Sequence, residues 1–71
     1  MIDATKMHTS FRNRLKELRG KRTLQEVADE IGISRATLGF YEDGSRKPDI
    51  EILYRIAKYY NVSADYLLGI S

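Results

Sequence analysis

Apolar residues recur three and four positions apart over most of the chain, which is the spacing of one helix face. Each such stretch follows a Ser, Thr or Asp, residue types that favour a helix N-cap, and most stretches end at a Gly. No run alternates apolar and polar residues for long enough to predict a β-strand. The pattern therefore predicts an all-α fold of five helices. The predicted N-caps are Ser10, Thr23, Ser34, Asp49 and Ser63.

The first nine residues are polar and show no helical period, so we expect residues 1–9 to form a flexible N-terminal tail. An apolar stripe that starts with Phe11 and Leu15 predicts a first helix of about ten residues. That helix is expected to end near Gly20. The folded domain is therefore expected to span residues 10–71.

Only three residues, Gly32, Ile33 and Ser34, separate the second predicted helix from the third. Thr23 and Glu26 form a capping-box pattern at the start of the second helix. In that pattern the Thr23 hydroxyl accepts from the Glu26 amide, and the Glu26 carboxylate accepts from the Thr23 amide. Because so short a connection forces a sharp angle, these two helices have the pattern of a helix-turn-helix unit.

The chain has 71 residues and a net charge of +2, but the charge is unevenly distributed. Residues 1–22 carry seven basic and two acidic residues, residues 23–44 carry one and five, and residues 45–71 carry four and three. A basic flank beside an acidic middle can steer a polyanion onto one face. Charge alone favours an ordinary soluble surface, because a net +2 is a weak signal.

Length and composition argue against several classes of protein. A chain of this length forms one domain without a deep cleft, and the absence of Cys excludes disulfides, Cys-type zinc sites and thiol catalysis. His8 stands alone in the tail, so we expect no metal site, and the chain offers no paired acid and base in a plausible pocket, so we expect no enzyme activity and no cofactor. No stretch approaches the roughly 18 apolar residues of a membrane span, and the N-terminus lacks the apolar stretch of a signal peptide. We therefore expect a cytoplasmic protein with no membrane partner.

Five short segments occur in a recognisable order. They are residues 15–19 (LKELR), 27–38 (VADEIGISRATL), 41–44 (YEDG), 47–49 (KPD) and 62–69 (VSADYLLG). Their order and spacing resemble the lambda-repressor-like (Cro/Xre-type) helix-turn-helix family over about residues 10–70. The resemblance implies a compact five-helix DNA-binding domain that binds double-stranded operator DNA, usually as a homodimer. The third helix, about residues 35–43, would lie in the major groove.

The sequence departs from the family pattern in two places. Between Arg19 and Thr23 the chain is about two residues shorter than the common pattern. Leu24 stands where the family often has a Gln that contacts a phosphate, so that contact is expected to be lost or to move to Gln25.

Candidate base contacts lie on one face of the third helix. They are Arg35, Ala36, Gly39 and Phe40, opposite the apolar face and at the family's groove-facing positions. Arg35 can donate two hydrogen bonds to a guanine edge, bind a phosphate, or remain solvated. Phe40 either contacts thymine methyl groups or folds back against the second helix or the loop near Arg46. Gly39 either permits close approach to DNA or has no function.

Candidate phosphate contacts lie at the start of the second and third helices and in the loop after the third. They are Arg22, Thr23, Gln25, Ser34, Thr37, Ser45, Arg46 and Lys47. Thr37 can alternatively hydrogen-bond within its own helix, and Arg46 and Lys47 can form an ordinary basic loop. By the resemblance, Arg19 and Glu42 form a structural ion pair that ties the first helix to the third.

These observations predict a sequence-specific DNA-binding transcriptional regulator, with a repressor as the favoured interpretation. The alternative is a protein-interaction module of the same fold, such as an antitoxin that binds a toxin or a domain that binds an antirepressor. Dimer contacts are expected on the fourth and fifth helices or in sequence further downstream. The residues expected there are Tyr59, Tyr60, Asn61, Ala64 and Ile70.

Overall fold

The computed structural model describes residues 4–70, and every regular element in that range is an α-helix. The prediction of an all-α fold with five helices is confirmed for these residues. The helices are α1 (Ala4–Arg19), α2 (Leu24–Ile31), α3 (Arg35–Asp43), α4 (Ile50–Tyr60) and α5 (Ala64–Leu68).

Helices α2 to α5 begin where their N-caps were predicted. The hydroxyls of Thr23, Ser34 and Ser63 each accept a hydrogen bond from the amide three residues later, at 3.0–3.1 Å. Asp49 Oδ1 accepts likewise from the Ile52 amide at 2.8 Å. Each cap satisfies one of the amides that a helix start leaves without an intrahelical partner.

The capping box at Thr23 differs from the prediction in one bond. Glu26 Oε1 lies 3.2 Å from the Thr23 hydroxyl, which donates to it, and not on the Thr23 amide. The hydroxyl is thus donor and acceptor at once, because it also accepts from the Glu26 amide. The reciprocal half of the predicted box is therefore wrong.

The first helix is longer than predicted. It spans 16 residues from Ala4, so the prediction that it starts after Ser10 is wrong, and residues 4–9 are helical, not a tail. Residues 1–3 of the expected tail lie outside the described residues. Met7 stands four positions before Phe11, so the apolar stripe extends one helical turn further towards the N-terminus than predicted.

The core joins all five helices. Its largest fully buried side chains are Leu15, Val27, Leu38, Ile56 and Leu67, one from each helix. In a small domain without disulfides, the burial of these apolar side chains fixes the relative positions of the helices. The core therefore determines which face of α3 remains outside.

The corner between α2 and α3 is formed as predicted. Gly32 ends α2 with φ +91°, a left-handed conformation that a side chain would strain, and its amide donates to the Ala28 carbonyl at 2.9 Å. The Ile33 amide donates to the same carbonyl at 3.0 Å, and the half-buried Ile33 side chain packs against the core. Helix α3 then starts at Arg35, so residues 27–40 form two helices and not one rod.

Candidate nucleic-acid interface

Helix α3 is held from its inner side. Leu38, Tyr41 and Glu42 are buried, whereas Arg35 and Ala36 in the first turn are exposed. Arg35 has no hydrogen-bond or ion-pair partner among residues 4–70. An unpaired guanidinium at the start of an otherwise anchored helix is free to donate to an external acceptor.

Phe40 folds back onto the loop that follows α3. The guanidinium carbon of Arg46 lies 4.7 Å from the Phe40 ring centroid, and the Arg46 amide donates to the Phe40 carbonyl at 3.3 Å. Phe40 is therefore half-buried in a cation–π contact, one of the two arrangements expected for it. The ring therefore stays partly accessible beside the exposed Arg46.

Gly39 lies beside α2 and not over an open groove. A Cβ built on it would meet Leu24 Cδ1 at 3.9 Å, an ordinary van der Waals distance. The residue is half-buried, and nothing within the domain requires it to be Gly. A steric requirement for Gly at this position would therefore have to come from a contact with something outside residues 4–70.

The hydroxyls at the two helix starts are already used within the protein. Thr23 caps α2, and Ser34 caps α3 while donating to Thr37 Oγ1 at 2.7 Å. Gln25 donates its side-chain amide to Asp29 Oδ1 at 2.7 Å. What these helix starts offer an anion is chiefly their uncapped backbone amides and the positive end of the helix dipole.

Arg22 is exposed, but its guanidinium contacts a cluster formed by Tyr59 and Tyr60. Its Nη1 donates to the Tyr59 hydroxyl at 2.5 Å, and its Nη2 donates to the Leu18 carbonyl at 3.3 Å. The Tyr59 hydroxyl in turn donates to Glu30 Oε2 at 2.8 Å. Among the candidate phosphate contacts, Arg22 is thus the cation whose donors are most fully used within the domain.

The loop after α3 is exposed over residues 45–47. Its start is fixed by Asp43, whose Oδ1 accepts from the Ser45 amide at 2.7 Å. Hydrogen bonding from Ser45 holds the pKa of Asp43 below its usual range, so that carboxylate stays ionised. Lys47 has no ion-pair partner among residues 4–70, which leaves its ammonium available.

Two basic residues of α1 extend this surface and were not among the predicted contacts. The side chain of Arg12 lies against Gly44, with Nη1 3.3 Å from where a Cβ would stand. Arg12 and Lys16 both act electrostatically on Asp43. The signal was present in the sequence, because Arg12 and Lys16 each follow a buried stripe residue and lie four positions apart on one face.

Arg19 and Glu42 form the expected ion pair. Arg19 Nε lies 2.8 Å from Glu42 Oε2, and Nη2 lies 2.9 Å from Oε1, so the contact is bidentate. Hydrogen bonding to Glu42 raises the pKa of Arg19. The Glu42 side chain is only 5% exposed, so its charge is neutralised inside the domain and does not face the candidate interface.

Fewer basic side chains are available to bind an external anion than the charge asymmetry of the sequence suggests. Three of the seven basic residues among the first 22 use donors within the domain. Arg14 donates to the Tyr66 carbonyl and lies over the Tyr66 ring, 4.2 Å from its centroid, while Arg19 and Arg22 make the contacts already described. The described residues contain no helix long and apolar enough to cross a membrane and no acidic or His cluster arranged to hold a metal ion.

Comparison with known proteins places this geometry in a family. A helix-turn-helix family model matches residues 15–67. The chain is 42% identical over 60 residues to the uncharacterized HTH-type transcriptional regulator YobD of Bacillus subtilis, covering 82% of this chain and 54% of that protein. It is 44% identical over 62 residues to the HTH-type transcriptional regulator ImmR of Bacillus subtilis, covering 84% of this chain and 49% of that protein.

A phage protein is also among the relatives. The cryptic phage CTXphi transcriptional repressor RstR of Vibrio cholerae is 37% identical over 54 residues, covering 73% of this chain and 49% of that protein. The chain thus spans about half the length of these curated relatives. No solved structure matches it significantly. The match of the family model to most of the chain, together with the two capped helices and the three-residue corner between them, shows that this protein belongs to the Cro/C1-type helix-turn-helix family of transcriptional regulators.

Proposed function

We propose that this protein binds double-stranded DNA sequence-specifically by inserting the N-terminal half of α3 into the major groove. One observation carries the proposal: Arg35 is exposed and unpaired at the start of a helix whose opposite face is buried. A guanidinium in that position matches the paired O6 and N7 acceptors of a guanine edge. Ala36, Gly39 and the exposed edge of Phe40 complete the reading surface.

Phosphate contacts flank this reading surface on both sides. On one side are the backbone amides that start α2 and α3, near Thr23 and Ser34. On the other side is the exposed loop, with Lys47 and Arg46, joined by Arg12 and Lys16 of α1. Such contacts orient a protein on the duplex without reading sequence. Gln25, Thr37 and Ser45 are exposed or half-exposed polar groups in the same regions and remain candidates.

A homodimer would form through the outer face of α4 and α5. Ile50, Tyr54 and Ile70 are 87%, 62% and 70% exposed, an unusual amount of large apolar surface for so small a domain. The first two border a cavity of about 290 Å³ on the α4 side. Tyr59 and Tyr60, expected earlier at this interface, instead face Arg22 and are half-buried, because their rings pack edge to face at 4.9 Å beneath its guanidinium.

A substitution of Tyr54 tests this interface. Tyr54→Glu places a charge in the centre of the apolar face, so it is expected to shift sedimentation towards monomer and to lower affinity for a two-half-site duplex. Affinity for a single half-site is expected to stay the same. An unchanged oligomeric state would remove this face from the proposal.

A DNA-bound dimer of this size would act by occupancy, as a repressor that excludes polymerase from the sequence it covers. Repression is supported by the relative named as a phage repressor. The proposal involves no catalysis and places the protein in the cytoplasm. An exposed Phe40 would favour the alternative of a protein-interaction module. Phe40 is instead half-buried beneath Arg46, so it does not support that alternative.

Selection of binders from a random duplex library, repeated at two salt concentrations, tests the proposed function directly. We expect an enriched motif containing guanine, and log affinity that falls linearly with log salt at a slope near −0.9 per phosphate neutralised. A library without enrichment, or an affinity independent of salt, would contradict sequence-specific DNA binding.

A further inference from the structure

A cavity outside the DNA-reading surface opens between the first half of α1 and the loop that leads into α4. Its volume is about 260 Å³. Apolar walls come from both ends of the chain. They include Met7, Phe11, Pro48, Leu53 and Leu68. Phe11, a core residue that is only 5% exposed, lies in its lining.

The charged side chains that line this cavity are basic. Arg46, Lys47 and His8 line it, and no Asp or Glu does so among residues 4–70. Lys47 has no counter-ion in that part of the chain, and the guanidinium of Arg46 rests on an aromatic ring and not on a carboxylate. The rim therefore favours an anion.

A tyrosine also lines the cavity. Tyr41 lines the cavity and is 7% exposed, yet its hydroxyl makes no hydrogen bond to any residue in the range 4–70. The hydroxyl is therefore free to donate to an acceptor in the cavity. Burial, together with the charge of Asp49, raises the pKa of Tyr41, which keeps the phenol protonated and able to donate. Asp49 itself is occupied as the N-cap of α4.

We propose that this cavity binds a small amphipathic monocarboxylate. The apolar body lies against Phe11, Leu53 and Leu68, and the carboxylate accepts from Tyr41 and from the cations of the loop. At the roughly 30 Å³ that a water molecule occupies in the liquid, the cavity holds about nine non-hydrogen atoms, enough for the apolar body of an arylalkanoic acid whose carboxylate lies at the rim. Charge complementarity distinguishes this ligand from a neutral one of the same shape.

The proposed site shares Arg46 and Lys47 with the proposed phosphate contacts. A carboxylate bound there would neutralise the loop that DNA uses, so ligand and DNA would bind antagonistically, and the coupling would be reciprocal. This antagonism rests on the proposed function, whereas the binding site does not.

The test is an NMR titration of the full chain, free of DNA, with 3-phenylpropionate and with 3-phenyl-1-propanol as the matched neutral probe. We expect saturable shifts at the amides of Phe11, Gly44, Lys47 and Leu68, with the alcohol at least tenfold weaker. Equal affinity for the two probes, shifts that do not saturate, or shifts that map to Ile50 and Tyr54 would overturn the site.

Two variants measure separately what the Lys47 charge and the Tyr41 hydroxyl contribute to carboxylate binding. Lys47→Gln is expected to weaken the carboxylate about tenfold and to leave the alcohol unchanged. Tyr41→Phe keeps the buried ring and is expected to weaken the carboxylate several-fold. If neither variant changes the affinity for 3-phenylpropionate, the proposed polar contacts are wrong.

The antagonism has its own measurement. Adding 3-phenylpropionate at saturation is expected to lower affinity for the selected duplex, while 3-phenyl-1-propanol at the same concentration leaves it unchanged. A bound carboxylate without any effect on DNA affinity would overturn the antagonism and leave the site standing. A protein that selects no duplex at all would overturn the proposed function without touching the NMR result.

Discussion

Arg19 and Glu42 join the end of α1 to the end of α3 through two parallel hydrogen bonds of 2.8 and 2.9 Å. Arg19 also donates through Nη1 to the Arg22 carbonyl at 2.8 Å, so the same guanidinium fixes the turn that leads into α2. One side chain therefore sets the position of both helices of the helix-turn-helix unit relative to α1.

Arg19→Leu is expected to destabilise the domain by about 3 kcal/mol, because it leaves the buried Glu42 carboxylate without its counter-ion. Urea unfolding followed by circular dichroism measures the change. Glu51→Gln is the control, since the Glu51–Arg55 pair is exposed and such pairs contribute about 0–1 kcal/mol. Equal effects of the two substitutions would show that burial of the Arg19 pair is unimportant.

Arg35→Ala is expected to weaken binding to the selected duplex by about 1–3 kcal/mol and to relax preference at one base position. Stability should not change, because Arg35 has no partner among residues 4–70. Binding to a panel of single-base variants of the duplex measures the preference. A specificity profile identical to that of the unmodified protein would assign Arg35 to a phosphate or to solvent.

Lys47→Ala is expected to weaken binding to every duplex by a similar factor and to make the salt slope shallower by about one unit. The contrast with Arg35→Ala separates a phosphate contact from a base contact. Arg55→Gln, which also removes one exposed positive charge but on α4, serves as the control and should leave the slope unchanged. A Lys47 variant with the original slope would not be a phosphate contact.

Gly39→Ala is expected to stabilise the domain by about 1 kcal/mol, since Gly weakens a helix interior and the added methyl meets Leu24 at an ordinary distance. Gly69→Ala is the opposed control: Gly69 has φ +78°, and its Cβ would lie 2.5 Å from Ser10 Oγ. Thermal unfolding is expected to shift upwards for the first and downwards for the second. If Gly39→Ala also lowers DNA affinity, the close approach of α3 to DNA explains the Gly.

Tyr60→Phe is expected to stabilise the domain by about 1 kcal/mol, because the Tyr60 hydroxyl is buried without a hydrogen-bond partner. Burial also raises the pKa of Tyr60 to about 12 from an ordinary 10. The unfolded chain therefore ionises first, so stability is full below about pH 10 and falls as the pH rises towards 12. Urea unfolding at several pH values should show a smaller loss in Tyr60→Phe, and an equal loss in both proteins would contradict this account.

The helix starts were predictable because their signals are local. A Ser, Thr or Asp at the N-cap acts on an amide three residues away, and all four such caps after α1 occur where expected. The same reasoning failed at Ser10, whose residue type suggested a cap although the apolar stripe runs on through Met7. A generic cap residue inside a helix carries no signal that distinguishes it from a true start.

The tyrosine cluster could not be predicted, because its contacts join distant parts of the chain. Arg22 reaches Tyr59 across 37 residues, and Tyr59 reaches Glu30 across 29. The sequence pattern predicts the helix faces but not which cation contacts the tyrosines. Arg22 and Lys47 are therefore equivalent candidates for phosphate contacts at the level of sequence. Their surroundings in the fold separate them.

The first half of α1 bears on how the protein can be divided. The family model matches from Leu15, yet Phe11 is 5% exposed within the core and belongs to a helix that begins eleven residues before that boundary. A recombinant fragment trimmed to residues 15–67 would lose this aromatic anchor and the turns that carry it. An expression boundary for this protein therefore belongs ahead of α1 and not at the edge of the matched segment.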